Sequence, residues 1–508
     1  MKATSEELKT LKPLVVAVVG PTNEGKTSLL RTLTNDPDFG HVNAYTGTTA
    51  RAEIQKVFYR GVAEILRLID TPGFQTSSEI LELTLNLPEV IERGGEFDLS
   101  DVMRAIPQTD EDYRHDLRAW REVERCDVVV LVASAAEDPS QSAHKNTLRL
   151  LKNIGKPVVV AFNNVREETE PTSTGAPDFR AAWDETLRKN SFFLVQQYDA
   201  HRRSFANEVE LFEKLAALAR DPLTQRVLRL EIAERKAQER RRATRSREII
   251  AELLLDVAAY RETATNVEQK DWRDVKDRLE EKFKETVVKR EHDAQLQLLE
   301  TWEFKIGVLN REMLDVSDAS DEKNCLFGKE APRHLGVGGG AGVALGAALG
   351  LALDAATAGI SLGAGLTLGI FLGGLLGSGG AMAYNAKYDA KGKRLVVRAQ
   401  REVVDVLLSR GLELTRQLQT RGKALEDSVQ ALVSSQPKPR KISSVSNALD
   451  AFSSREDFST LNESVSVFAS KDWRRLPGIS SLAKDRKTRA EAVAILADAL
   501  KEALPDED

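Results

Sequence analysis

The stretch Gly20-Pro21-Thr22-Asn23-Glu24-Gly25-Lys26-Thr27 sets two glycines, a lysine and a hydroxyl at the spacing G-x-x-x-x-G-K-[ST]. Glycines at these positions permit a tight backbone that turns successive amide groups toward one point, and such a nest of N–H groups binds phosphate oxygens. The stretch follows LVVAVVG (14–20), a continuous apolar run, and opens onto SLLRTL, a helix pattern whose N-terminus favours anions. In that frame Lys26 reaches the outer phosphates of a nucleoside triphosphate and the Thr27 hydroxyl ligates Mg²⁺. Gly20, Asn23, Glu24, Gly25 and Ser28 complete the binding loop. Two further pieces follow in order. In DTPGF (70–74), Asp70 is expected to hold the Mg²⁺ through water, and the Gly73 amide to sense the terminal phosphate. In AYTGTTAR (44–51), Thr49 is expected to close onto the Mg²⁺; a hydroxyl-rich surface loop is the other reading of Thr48 and Thr49.

Groups so far apart in sequence need a sheet to hold them. Besides LVVAVVG, strand-like runs occur at EILRLID (64–70), CDVVVLVA (126–133), KPVVVAF (156–162) and FFLVQQY (192–198). Apolar runs of this kind suit strands buried on both faces, and strands alternating with crossovers imply a parallel sheet flanked by helices. The interval between Phe74 and about Glu124 is longer than a crossover needs. It reads as an insertion near 75–120, with a helix around DYRHDLRAWREVER.

Together GPTNEGKTSLL, TGTTA, DTPGF and CDVVVLVASA resemble the TrmE–Era–septin-like branch of the translation-factor class of GTPases, over roughly residues 12–205. The resemblance implies a Ras-like α/β fold, a mostly parallel sheet with helices on both faces, that binds and hydrolyses GTP with Mg²⁺. Catalysis in this sense rests on Lys26, Thr49 and Gly73, and metal binding on Thr27, Thr49 and Asp70. Ras-like enzymes carry a water-orienting glutamine after D-T-P-G; here that position is Phe74, with Gln75 next to it. The branch resembled often has an apolar residue there, and some members supplement transition-state charge with K⁺ held by a phosphate-loop asparagine. Asn23 falls at that place, which implies slow basal hydrolysis with K⁺ stimulation; a loop residue that tolerates unusual dihedrals is the alternative. A G domain joined to a helical half with a glycine-rich hairpin also resembles a bacterial GTPase family whose C-terminal half is a domain of unknown function.

One motif departs from the pattern. Guanine specificity normally comes from N-K-x-D after the fifth strand, but this chain reads Asn163-Asn164-Val165-Arg166. Asn163 fits the first position, whereas Arg166 has no acceptor to offer the base. Glu167 is one substitute carboxylate. Asp199 with Ala200 in YDAHR, where the family has its loop after the last strand, is another. Without either, base discrimination falls, and ATP becomes an alternative to GTP.

The remainder of the 508 residues changes texture near Arg203. Strand signals vanish, and a long helical, stalk-like region is expected over 206–330. A glycine-rich apolar hairpin is expected over 331–385, an amphipathic helix over 386–435 and a helical tail over 441–508. Half of the 32 glycines lie in 335–384. Gly338, Gly342, Gly346 and Gly350 recur every four residues, as do Gly365, Gly369, Gly373 and Gly377, so each series occupies one helix face. Each arm has about nineteen residues, roughly 28 Å as helix, near the thickness of a bilayer core. Lys329 and Arg333 precede the arms, and Lys387, Lys391, Lys393 and Arg394 follow them, which favours a hairpin with both ends cytoplasmic. Membrane lipid is therefore an expected partner of 335–384; a buried soluble hairpin and a flexible low-complexity segment are the other readings. The basic run ERKAQERRRATRSRE (234–248) reads as a solvated helix face with glutamate partners, or as a lipid-facing one.

Composition bounds the rest. A net charge of −6 suggests no nucleic-acid partner. Cys126 and Cys325 lie far apart, which fits free thiols in a reducing compartment, and the six histidines form no zinc-type cluster. MKATSEELKTLKP has no apolar signal core. The expectation is a cytoplasmic protein at the inner face of the inner membrane that couples GTP hydrolysis to its helical half. A nucleotide-gated membrane scaffold with little turnover, and a self-associating dynamin-like remodeller, are the competing functions.

Overall fold

A computed structural model describes residues 3–34, 36, 39, 52–163, 179–198, 203–304, 384–389, 393–399, 401–420, 442–453 and 482–506. The chain divides into two compact units. One comprises Met1–Gln238 with Thr420–Leu425 and Glu507–Asp508, the other Glu239–Gln419 with Glu426–Asp506.

The first unit is built on a six-stranded sheet: β1 (Leu14–Val19), β2 (Glu53–Tyr59), β3 (Ala63–Asp70), β4 (Val128–Ser134), β5 (Val158–Asn163) and β6 (Val195–Gln197). Its order is β2-β3-β1-β4-β5-β6, and every pairing is parallel except β2 with β3. The apolar runs became strands because both faces of the sheet are covered: every residue of β4 and β5 is buried. Strand β2 escaped the sequence reading. It is an edge strand whose Glu-Ile-Gln-Lys-Val-Phe-Tyr alternation buries Val57 and Tyr59 but exposes Ile54 and Phe58. A tight turn joins it to β3, with Arg60 (φ 50°) and Gly61 (φ 71°) both left-handed and the Val62 N–H donating to the Tyr59 carbonyl at 3.0 Å.

Helix α1 (Ser5–Thr10) precedes β1, and α2 (Lys26–Thr34) follows it. The expected insertion holds α3 (Ser77–Leu85), α4 (Pro88–Glu92), α5 (Leu99–Ala105) and α6 (Arg114–Arg125); α7 (Ser142–Asn153) and α8 (Arg180–Lys189) are the later crossovers. On one side of the sheet Val19, Leu131 and Val160 pack with Phe74, Ile80, Trp120 and Trp183. On the other side Val16, Val18 and Val130 pack with Leu29 and Leu30, and with residues beyond 205. Phe212 and Leu215 come from α9 (Phe205–Leu218), and Val227, Leu228 and Ile232 from α10 (Pro222–Ala259). The unit therefore extends to Gln238 and does not end at the expected boundary of 205.

The second unit is mainly helical, as expected, but carries strands that the sequence reading did not place. It contains a three-stranded antiparallel sheet of β7 (Arg261–Ala264), β8 (Tyr384–Asp389) and β9 (Arg394–Ala399), ordered β7-β9-β8. The helix expected over 386–435 is helical over Arg401–Thr420 (α12); the described residues before it are strands. RLVVRA misled because charged residues flank a short β-branched core. Leu395 and Val397 are buried, and β9 is paired on both edges. Around the sheet lie the second part of α10, α11 (Trp272–Thr301), α13 (Ser443–Ser453) and α14 (Leu482–Ala499). Their core includes Leu254, Phe283, Leu299, Leu407 and Leu496. Strand β7 interrupts the expected helical stretch of 206–330, whose last part, from 305, lies outside the described residues. The glycine series and Lys391 also lie outside them. Among the described residues no helix is long and apolar enough to cross a membrane.

The basic run is extensively ion-paired. Arg235 bonds Glu231, Lys236 bonds Glu213, Arg242 bonds Glu303, Arg245 bonds Glu248, and Arg247 bonds Asp506. Most partners are glutamates, as the solvated-face reading expected, but Arg247 is buried and pairs with an aspartate.

Candidate functional site

The loop between β1 and α2 has the backbone its glycines foretold. Gly20 (φ 146°), Asn23 (φ 69°) and Gly25 (φ 91°) are left-handed. At Gly20 an added Cβ would lie 2.3 Å from the Val132 carbonyl oxygen on β4, so close strand contact as well as φ demands glycine. The exposed Asn23 shows the unusual dihedral that asparagine tolerates. Lys26 folds back over the loop: its buried Nζ donates to the Gly20 carbonyl at 3.1 Å and the Pro21 carbonyl at 2.6 Å. Burial lowers its pKa to about 8, opposed by the charges of Asp70 and Glu24.

At the start of α2, Thr27 Oγ1 donates to Asp70 Oδ2 at 2.5 Å, so two of the three expected metal residues meet. Asp70 Oδ1 is buried with no hydrogen-bond partner. Burial raises the Asp70 pKa to about 6, against the Thr27 hydrogen bond and the Lys26 charge. A hydroxyl and a carboxylate with a spare buried oxygen are hard oxygen donors, and they fit Mg²⁺. Ser28 lies half-buried beside Thr27 on α2.

The Asp70–Phe74 segment crosses the phosphate loop at close range. A Cβ on Gly73 would lie 2.5 Å from Thr22 Oγ1 and 2.7 Å from Thr22 Cα. Phe74 forms a parallel bridge with Pro21, its N–H donating to the Gly20 carbonyl at 3.0 Å. The Phe74 ring turns into the core and stacks on Trp120 at 5.3 Å and 22°. It therefore occupies a packing position and orients no water. Gln75 is held by its backbone: its N–H donates to both oxygens of Asp116 at 3.2 Å, and the Thr76 N–H donates to Oδ2 at 3.2 Å. Asp116 and Trp120 went unnoticed in the sequence. Their i, i+4 spacing marks one helix face, but nothing local tells which loop that face meets.

At the end of β5, Asn163 Nδ2 donates to the Glu24 carbonyl at 2.8 Å and ties this strand end to the loop after β1. The Glu24 carboxyl is buried with Oε2 unpartnered. Its pKa rises to about 8 through burial and the nearby Glu137 charge, against Lys26 and the Ser134 backbone. Thus Gly20, Glu24, Gly25, Lys26, Thr27, Asp70, Gly73 and Asn163 converge. Thr49, Arg166, Glu167, Asp199 and Ala200 lie outside the described residues.

Residues 15–164 match the family model described as 50S ribosome-binding GTPase, and residues 185–500 match the Domain of unknown function (DUF3482). Comparison with curated proteins finds no match. Solved structures with similarity include Era in complex with MgGDPNP and nucleotides of 16S ribosomal RNA, at 19% identity and a TM-score of 0.26. They also include an Aquifex aeolicus Era variant bound to GDP·AlF4⁻, at 19% identity and a TM-score of 0.26. In both cases the match covers 37% of this chain and 52% of the other, so the chain spans about half the length of these Era structures. The G domain of the T. maritima FeoB iron transporter matches at 20% identity and a TM-score of 0.25, over 41% of this chain and 100% of that one. A phosphate loop at the end of a parallel strand and a hydroxyl–aspartate pair beside it lie within the residues that match the GTPase model, and the match over 185–500 settles the family: the chain belongs to the DUF3482 family, with a GTPase-type domain ahead of its C-terminal domain.

Proposed function

We propose that the chain hydrolyses GTP slowly and relays its nucleotide state to a membrane-associated DUF3482 half. The observation that carries the hydrolytic part is the convergence of Lys26, Thr27 and Asp70, with a buried Asp70 oxygen left unpaired. Mg²⁺, when bound, would supply positive charge that offsets the negative charge of the phosphates. Lys26 neutralises outer phosphate oxygens, exchanging two carbonyls for them. Thr27, Asp70 and Thr49 would hold the metal. The loop amides orient the phosphates, and Gly73 offers its amide at the terminal one. Asn163 keeps the loop in register with the base, whose edge Asp199 or Glu167 reads in place of Arg166. Asn23 holds K⁺ in this reading.

Phosphate release from GTP and from ATP, in potassium and in sodium buffer, tests this beside Lys26→Ala. The expected result is GTP turnover on the order of the slow intrinsic rates of such domains, higher in K⁺, and at least about 100-fold lower in Lys26→Ala. Equal turnover of ATP would remove guanine specificity, and equal rates in sodium would remove the role of Asn23. A second reading is a nucleotide-gated scaffold that binds GTP with negligible turnover. The burial of Phe74 against Trp120 favours it, because the water-orienting position is spent on packing. Tight GTP binding without phosphate release would select it.

The membrane part rests on the four-residue glycine period of 335–384 and its length. In this reading the protein sits at the cytoplasmic face of the inner membrane. Lipid-stimulated turnover with self-association would extend it to a dynamin-like remodeller.

A further inference from the structure

We infer that Asp116, a residue of the inserted helices, is a positioning residue for GTP hydrolysis: it fixes the backbone after Gly73 and so holds the Gly73 amide at the phosphate loop. The inference rests on the GTPase reading of this same site. Asp116 is fully buried on α6, and the contacts that define its role are made to backbone. Both its oxygens accept the Gln75 N–H at 3.2 Å, and Oδ2 accepts the Thr76 N–H at 3.2 Å. One turn further along α6, Trp120 lies under the Phe74 ring. The opposite end of the segment is stapled to the phosphate loop by the Phe74 N–H and the Gly20 carbonyl, with Gly73 lying against the Thr22 backbone.

Residues 73–76 are therefore held from two sides, by the loop that binds phosphate and by a helix from the insertion. A carboxylate suits this task because it has acceptors for two successive amides and no donor to repel them. Helix α3 begins at Ser77, so the two amides that Asp116 accepts, those of Gln75 and Thr76, lie in the last residues before its first turn. The carboxamide of an Asp116→Asn variant would keep one oxygen for the Gln75 and Thr76 amides and turn an N–H₂ group toward the Gln75 amide, loosening the segment while preserving volume.

The test measures single-turnover GTP hydrolysis and affinity for a fluorescent GDP analogue in full-length Asp116→Asn. Ser77→Ala serves as control, since it removes the hydroxyl contact between Ser77 of the insertion and Thr147 on α7 without altering the Asp116 contacts. The expected result is hydrolysis about tenfold slower or more in Asp116→Asn with GDP affinity within about threefold of wild type, and wild-type hydrolysis in Ser77→Ala even where its melting temperature falls. Hydrolysis at the wild-type rate in Asp116→Asn would overturn the inference and leave a merely structural contact. Should Asp116→Asn fail to fold, Trp120→Phe, which shortens the support beneath Phe74 and removes an unpartnered indole N–H, is read in its place. It is expected to slow hydrolysis severalfold at unchanged GDP affinity, and an unchanged rate overturns the inference. A wild-type chain that binds the analogue but releases no phosphate from GTP, or binds neither nucleotide, fails the underlying reading and removes the inference with it.

Discussion

Glu24, Asp70 and Asp116 are carboxyl groups of one unit that burial pushes upward, Glu24 to about 8 and the two aspartates to about 6. A group whose folded pKa lies above its unfolded value favours the fold when protonated. Its stabilisation is present at low pH and is lost as pH rises through the folded value. For Glu24 the window runs from 4.5 to about 8, at on the order of 1.4 kcal/mol for each pH unit between them. The aspartates have finished titrating by about pH 7, but Lys26, lowered to about 8, titrates in the same range as Glu24 and with the opposite sign, favouring the fold as pH rises from about 8. Glu24 is therefore read from the difference between nucleotide-free wild type and Glu24→Gln, since Lys26 titrates in both. Glu24→Gln, which stays neutral, is expected to gain melting temperature relative to wild type between pH 7 and pH 9 and to melt higher than wild type at pH 9. Thermal scans at the two pH values decide it, and parallel wild-type and variant curves would show that Glu24 is ionised in the fold throughout. Lys26, Thr27 and Asp70 were legible in the sequence because short motifs fix them relative to a strand end. The Glu24 environment and the Asp116 contacts were not. Each depends on which residues distant in sequence close over the loop, Glu137 in one case and Gln75 in the other.

At the scale of elements, legibility followed burial. Strands β1, β4 and β5 are continuous apolar runs because the sheet is covered on both faces, so one glance at hydropathy finds them. Strands β2, β7 and β9 are short or charged at their margins, and a tertiary partner rather than intrinsic preference makes them strands. Helices hid a different feature. The chain loses its strand texture near Arg203, yet α9 and the first part of α10 still belong to the sheet. Val209, Leu211, Phe212, Leu215, Val227, Leu228 and Ile232 are buried in its core. At roughly 1.5–3 kcal/mol per buried apolar side chain, removing these seven would forfeit roughly 10–20 kcal/mol, more than a typical domain's net stability. A fragment ending at 205 is therefore expected to be aggregated or unfolded. One ending at 238 is expected to unfold cooperatively and to bind GDP within about fivefold of the intact chain. Circular dichroism melts and analogue titration of both fragments give the answer; a fragment of 1–205 that folds and binds equally well would place the boundary back where the sequence texture changes.

For the whole molecule, the question is whether nucleotide and membrane talk to each other, and linkage makes that measurable without knowing the path between the units. If GTP changes the chain's affinity for lipid by some factor, lipid must change its affinity for GTP by the same factor. Vesicles of phosphatidylethanolamine and phosphatidylglycerol supply an apolar core for the glycine arms and an anionic surface for Arg333 and Lys391. Lys393 is less free to join them, because it is bonded to Glu268 at 2.7 Å. The intact chain is expected to float with such vesicles, and a chain lacking 335–384 to remain at the bottom of the gradient. With a non-hydrolysable GTP analogue and with GDP, the flotation affinities are expected to differ by about 5- to 150-fold, the range of ordinary coupling. The ratio of analogue to GDP affinity, measured with and without vesicles, must then shift by the same factor. Flotation that ignores the nucleotide would leave a GTPase tethered to lipid but not governed by it. Equal flotation of the deletion variant would assign lipid contact to another surface, and the glycine series to packing within the protein.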